Sequence, residues 1–291
     1  MDATTAMYVA QGLHGLAYGM LLFLVASGLT LIFGMMGILT LAHAAFFMLS
    51  AYLGFQVMQM TQNFWLALLI APVVTGILGV LCERFLIRRV HAMGHIGELI
   101  LTVGISLVIL DAVKSIWSTD SLYLDIPESL QGLVSIAGME YPIYRLFIIG
   151  MALLLLIILM VILYKTRLGM IVRAAVSDAD MVNALGVNVP LVFMIVFGVG
   201  TWMAGVAGVA IAPILTVFPG LADQMGMDAY IIVVVGGFGS LSGAFLVSII
   251  FGLLSSYGVQ FISQLAPVLM FIFMAIVLII KPVGIFGERE D

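Results

Sequence analysis

Three stretches of this chain hold the side chains with chemical potential. The first is Gly34-Met-Met-Gly37-Ile-Leu-Thr40-Leu-Ala-His43-Ala-Ala-Phe46, where glycines, a hydroxyl and an imidazole interrupt apolar sequence. The second is Gly236-Gly237-Phe238-Gly239-Ser240-Leu-Ser242-Gly243-Ala244, again glycines and hydroxyls inside an apolar run. The third, Lys165 to Pro190, is polar and charged. Glycine costs about 1 kcal/mol against alanine in a helix interior, so both clusters predict a break or turn. Inside a membrane, non-helical backbone must be buried by protein or line water. Interrupted apolar segments in the two halves of a chain therefore point to a solute route, here past Thr40, His43, Phe46, Gly236, Gly237, Gly239 and Ser240. The competing reading makes Gly34–Gly37 a tight turn, the second cluster a surface loop and His43 a packing residue.

Bond-making chemistry finds no support. The sequence has no HExxH, no GxSxG and no intramembrane carboxylate pair. Only Lys114-Ser115 and Lys165-Thr166 join lysine to a hydroxyl residue, and neither follows the glycines of a nucleotide-binding loop. If ATP drives this protein, another chain hydrolyses it. Asp111 and Lys114, three apart near the end of a span, read as ordinary helical pairing with snorkelling.

Composition says what must position these groups. Of 291 residues, 64% are hydrophobic and 9% charged, where a soluble domain carries about 25% charge. That excludes a water-soluble enzyme and a disordered chain, and ten Lys plus Arg make no basic face for nucleic acid. The single cysteine, Cys82, excludes an internal disulfide and a cysteine metal cage, and no metal or cofactor site is expected. What remains is an all-α polytopic membrane protein, one transmembrane domain over residues 1–291. The N-terminus has no basic segment or cleavage site, so the first apolar run reads as a true span. Apolar runs place spans at Leu13–Phe33, Ile38–Met58, Phe64–Cys82, Ile96–Trp117, Ile143–Tyr164 and Val192–Ala212. They continue through the broken run Tyr230–Ile262 to Leu265–Ile280. Whether Tyr230–Phe238 crosses or is re-entrant decides between nine and eight segments.

Lys and Arg concentrate in residues 83–95 and 165–190, while Asp and Glu concentrate in 118–142 and 214–228. The positive-inside rule places the first pair in the cytoplasm, the second pair outside, and the N-terminus outside. Trp65, Trp117, Tyr141 and Tyr144 then fall at outer span ends as interfacial anchors, and Glu98 falls at the inner interface. Small residues recur every fourth position at Ala67, Ala71, Thr75 and Gly79, and at Gly200, Ala204, Gly208 and Ala212. Such stripes are helix-packing seams. Within the cytoplasmic stretch, Ser177 or Asp178 can cap a short helix through Leu185, with Asp180 in its first turn and Gly186 as its stop. Met181, Ala184 and Leu185 share one face. A helix this short is unstable alone, so it is either a membrane-surface connector or a handle gripped by a soluble partner.

Four ordered motifs resemble the bacterial branched-chain amino acid ABC transporter permease family, of the LivH type. They are Gly28-Leu-Thr-Leu-Ile-Phe-Gly34-Met-Met-Gly37 with Leu41-Ala-His43-Ala-Ala-Phe46, and Arg173-Ala174-Ala175 through Ala184-Leu185-Gly186. The others are Ala204-Gly205-Val-Ala-Gly208, and Asp228-Ala229 leading to Gly236–Ala244. The resemblance implies an inner-membrane importer subunit, multi-pass, with a cytoplasmic coupling helix. Two permease chains would form the pore, the second of the LivM type. Two ABC ATPases would bind the cytoplasmic loops and hydrolyse ATP, and a periplasmic binding protein would deliver solute. On that reading Arg173, Ala174, Ala175, Asp178, Asp180, Met181, Leu185 and Gly186 couple to the ATPases. Two departures, Thr40-Leu-Ala-His43-Ala44 in place of Asn-Phe-Ala-His-Gly and Ser242 in place of proline, leave the solute open. The alternative is a secondary transporter or channel for a small solute such as urea, an amide or a carboxylate.

Overall fold

The computed structural model describes residues 3–38, 40–136, 139–264 and 266–287. Helices α1 (Ala3–Met36), α2 (Ala42–Thr61) and α3 (Phe64–Cys82) come first. A π-helical segment Glu83–Ile87, the single turn α4 (Arg88–Val90) and a 3-10 turn His91–Met93 lead into α5 (Gly94–Trp117). A two-stranded antiparallel hairpin, β1 (Leu133–Ile136) and β2 (Met139–Pro142), precedes α6 (Ile143–Lys165), with Leu133 opposite Pro142. Then follow α7 (Arg167–Ser177), α8 (Ala179–Ala184), α9 (Val189–Ile211), α10 (Leu221–Gly236), α11 (Leu241–Phe261) and α12 (Ala266–Ile280). Among the described residues six helices are long and apolar enough to cross a membrane: α1, α3 with its π-helical extension, α5, α6, α9 and α11. The protein is thus an all-α polytopic membrane protein.

Helix α1 is the axis of the bundle. Leu22, Phe23, Leu24 and Ala26 along it are fully buried. Close helix approach at membrane depth requires small residues, and glycines supply it. Gly15 and Gly19 meet Gly252 and Ser248 of α11, where a Cβ on Gly19 would lie 2.5 Å from the Ser248 carbonyl oxygen. Gly28 meets Gly200 of α9. The expected stripe on α3 is buried against α9, with Gly79 against Thr201 and Gly76 against Trp202. The α9 stripe serves two neighbours: Gly200 faces α1, and Gly208 faces the Phe47 carbonyl of α2.

The bundle has two distinct ends. At one, the Tyr257 hydroxyl donates to the Tyr8 carbonyl (2.9 Å), Trp117 donates to Gln56 (3.0 Å), and Leu122 bridges Val217. The other gathers the end of α1, His91, α7, the α10–α11 turn and the segment after α12. Three sequence expectations change. Helix α10 starts at Leu221, inside the stretch read as an outer loop; Asp223 and Gln224 are exposed on it while Leu221 and Met225 are buried, so a one-sided helix looks polar in sequence. Tyr141 and Tyr144 are packing residues and not interfacial anchors. Both are buried, with hydroxyls donating to the Leu13 and Ala210 carbonyls, each at 2.8 Å. Helix α7 occupies Arg167–Ser177, where the sequence reading placed only the short helix that follows it. Leu265, the expected start of the last span, lies outside the described residues.

Candidate functional site: a helix break and the vestibule beneath it

The first glycine cluster is a break in the helical path. Helix α1 ends at Met36, Gly37 turns with φ +66°, and α2 begins only at Ala42. Leu41 lies level with Thr102 and Ser106, about 12–18 Å along α5 from Gly94 at 1.5 Å per residue. The break is therefore at membrane depth, where its backbone groups have no water to bond. Side chains of two other helices replace that water. Thr102 accepts from the Leu41 amide (3.3 Å), Ser106 donates to the Leu41 carbonyl (3.0 Å), and Tyr230 donates to the Thr40 carbonyl (2.6 Å). His43 is fully buried, its Nε2 hydrogen-bonded to the Val25 carbonyl at 3.0 Å. A carbonyl only accepts, so Nε2 carries the proton. Gly28 makes room for the ring: a Cβ there would lie 2.8 Å from the imidazole. Phe46 is buried edge-on against Phe197 of α9, and Thr40 is buried two residues before α2 begins.

The second cluster forms the α10–α11 turn. Ser240 caps α11, accepting from the Gly243 amide at 3.1 Å, and Gly236 packs on Gly243 and Ala244. Gly237, at φ +99°, faces the backbone of Gly284 and Gly287. Ile285 and Phe286 donate to the Val235 and Gly236 carbonyls at 2.8 and 3.1 Å. The segment after α12 thereby satisfies carbonyls that a helix end leaves free. Gly239, at φ +78°, touches the first cluster: a Cβ on it would lie 2.8 Å from Gly34 Cα. Phe33 and Phe238 stack beside this contact, with centroids 4.3 Å apart. The structure thus joins Gly34 to Gly239 directly, while Thr40, His43 and Phe46 lie deeper in the bundle.

Below the contact opens a cavity of about 720 Å³, lined by Phe33, Gly34, Gly37, Phe238, Ala175 and Ala179 among others. Its wall is the charged segment. Asp178 caps α8, accepting from the Met181 amide at 2.8 Å, and Gly186 ends the turn at φ +87°. Val182 holds α8 against Ala175 and Val189, whereas Met181, Ala184 and Leu185 face outward; Leu185 is 76% exposed. Asp180 lines a second cavity of about 300 Å³ with Glu83, Arg88 and His91. Arg173 donates to the Leu163 carbonyl and lies over the Tyr164 ring, tying α7 to the end of α6; Ala174 is exposed. Two carboxylates are buried here with partners. Glu83 pairs with Arg88 at 3.5 Å, and Arg88 also donates to the Pro190 carbonyl (2.8 Å). Glu98 is met by His91 and His95. Among the described residues no group of three His, Cys, Asp or Glu is placed to hold a metal ion.

Sequence reading missed Tyr230, Thr102 and Ser106, whose only signal is a hydroxyl within an apolar helix. It also missed the segment 284–287, which carries two glycines after the last span.

Residues 12–280 match the family described as the permease component of the branched-chain amino acid transport system. The chain belongs to that family. The permease is 28% identical to the high-affinity branched-chain amino acid transport system permease protein BraD of Pseudomonas aeruginosa, over 97% of both chains. It is 26% identical to the corresponding permease protein LivH of Escherichia coli, over 97% of this chain and 96% of that one. A probable LivH of Methanocaldococcus jannaschii is 25% identical over 93% and 90%. No solved structure matches the permease. Proteins of this family are transport subunits, and the helix-rich, apolar chain is a multi-pass membrane protein of that kind.

Proposed function

We propose that the permease is the membrane subunit of an ATP-driven importer that brings branched-chain amino acids, or a related small solute, across the bacterial inner membrane. The observation that carries this reading is α8. Six residues make no stable helix in water, yet α8 is capped at both ends and pinned by Val182. Its remaining apolar side chains, Met181, Ala184 and Leu185, point away from the protein. An apolar face on a charged, non-membrane segment fits a soluble partner, here an ATPase subunit that binds the α7–α8 elbow and hydrolyses the ATP. The elbow walls the vestibule under the Gly34–Gly239 contact, so moving α8 would open or close the inner mouth of the route. Basic residues Arg84, Arg88, Arg89, Lys165, Arg167 and Arg173 share this end with α8, which makes it cytoplasmic by the positive-inside rule. Nine segments then alternate from an external N-terminus. A second permease chain of the LivM type would complete the pore, and a periplasmic binding protein would deliver solute at the hairpin end. The test is cross-linking. In a Cys82→Ala background, Leu185→Cys should join a cysteine placed in the ATPase subunit and release it on ATP turnover. Failure of every such pair, in assembled complexes, would refute the coupling assignment.

A further inference from the structure

We infer a binding site for one anionic phospholipid of the cytoplasmic leaflet in the groove between α6, α7 and α9. Helix α6 ends at Lys165, and α7 folds back on it, with the Thr166 hydroxyl accepting from the Gly169 amide (3.2 Å). Gly169 is buried against the Ile162 and Leu163 carbonyls, where a Cβ has no room, so glycine permits the fold-back. Under this elbow lies a cavity of about 300 Å³. Fifteen residues line it and only Asn188 is polar, its oxygen already accepting from the Leu191 amide as the α9 cap. An amino acid entering it would leave two charges unpaired; an acyl chain would lose nothing polar. The cavity is therefore separate from the solute route, and Leu31 of α1 forms its floor. Its mouth opens toward the bilayer between Leu168, Leu191 and Ile195, each 45–60% exposed.

The rim supplies the complementary charge. Lys165, Arg167 and Arg173 lie within nine residues, and none has an acidic partner among the described residues. Lys165 and Arg167 precede the wall residue Leu168, while Arg173, on the same elbow, donates to the Leu163 carbonyl and lines a neighbouring cavity beside Gly34 and Gly239. A hydrocarbon tail in the groove brings a phosphate to this rim, and basic residues at a membrane surface favour anionic headgroups. The site uses the cytoplasmic orientation of the proposed function but not its ATP coupling.

The experiment is native mass spectrometry of the assembled complex extracted from its own membrane, reading phospholipid retained per permease chain. Retention of one phosphatidylglycerol or cardiolipin is expected. Lys165→Gln with Arg167→Gln should weaken it roughly thirty-fold, the equivalent of about 1 kcal/mol for each basic residue. Ile195→Trp should remove it by filling the groove, and Arg84→Gln, a cation elsewhere at the same end, should leave it unchanged. No retained phospholipid in the native complex would overturn the inference. So would equal retention in both groove variants with unchanged melting. So would disulfide capture of Ile195→Cys, in the Cys82→Ala background, by a second permease chain, which would make the groove a protein interface. None of these readings requires transport, so they do not depend on whether the importer uses ATP.

Discussion

The break between α1 and α2 should open when its borrowed hydrogen bonds are removed. Tyr230→Phe conserves the ring and deletes only the hydroxyl that donates to the Thr40 carbonyl at 2.6 Å. Hydrogen bonds between helices in membranes average about 0.6 kcal/mol with a maximum near 1.7. The Tyr230 bond is short, and the acceptor's other partner, the His43 amide, stands off at 3.4 Å, so the bond belongs near the top of that range, about 1.5 kcal/mol. Ser106→Ala removes the 3.0 Å bond to the Leu41 carbonyl. The Ser106 hydroxyl also reaches the Thr102 carbonyl at 3.1 Å, so its share belongs near the average. Together the two substitutions should cost about 2 kcal/mol, which raises the open population roughly thirty-fold. Hydrogen exchange in peptides covering residues 37–44 reads this directly, with the α3 peptide 64–82 as internal reference. Exchange at 37–44 should accelerate by that factor while the reference stays constant. Unchanged exchange at 37–44, or equal acceleration in both, would refute the idea that these hydroxyls stand in for water at the break.

Four further outcomes follow from the same geometry. Met181→Asp with Leu185→Asp should change the melting of the isolated permease by no more than about 0.5 kcal/mol, as at other surface positions, yet abolish ATP-dependent uptake; normal uptake would make α8 a mere connector. Gly237→Trp should first displace residues 284–287, because its side chain meets Gly284 and Gly287; protease sensitivity after Lys281 should rise, and an intact, resistant C-terminal segment would contradict the packing. Gly239→Trp should instead push apart the Gly34 contact, blocking uptake with the 284–287 segment still protected. His43→Ala should reduce the yield of assembled permease by removing a buried ring, while uptake per assembled molecule and its pH profile stay as before; a pH-dependent loss of uptake would put the imidazole on the route.

What the sequence could reveal was periodic or local. The α3 seam is legible because Ala67, Ala71, Thr75 and Gly79 repeat with the helix, and the bounds Phe64–Cys82 agree with the structure. The α8 cap is legible because Asp178 stands one residue before the helix and Gly186 just after it. The break is legible as a glycine cluster, since glycine is costly within a helix. Contact between Gly34 and Gly239 is not legible, being made by residues about two hundred positions apart through the packing of α1 on α10 and α11. Helix α10 is half hidden because its exposed face carries Asp223 and Gln224, which read as loop. Gly237 also clears space for a segment whose own sequence gives no sign of folding back, so that contact is not legible in the sequence.

On the proposed function, this permease moves its solute only when a partner hydrolyses ATP against the α7–α8 elbow. The direct measurement is leucine accumulation in proteoliposomes containing the permease, its second membrane chain, the ATPase subunits and the binding protein. ATP trapped on the ATPase side should drive accumulation, and hydrolysis-deficient ATPase subunits should abolish it even with a proton gradient imposed. Accumulation by the permease chains alone, driven by the proton gradient and collapsed by a protonophore, would rule out coupling through the ATPase.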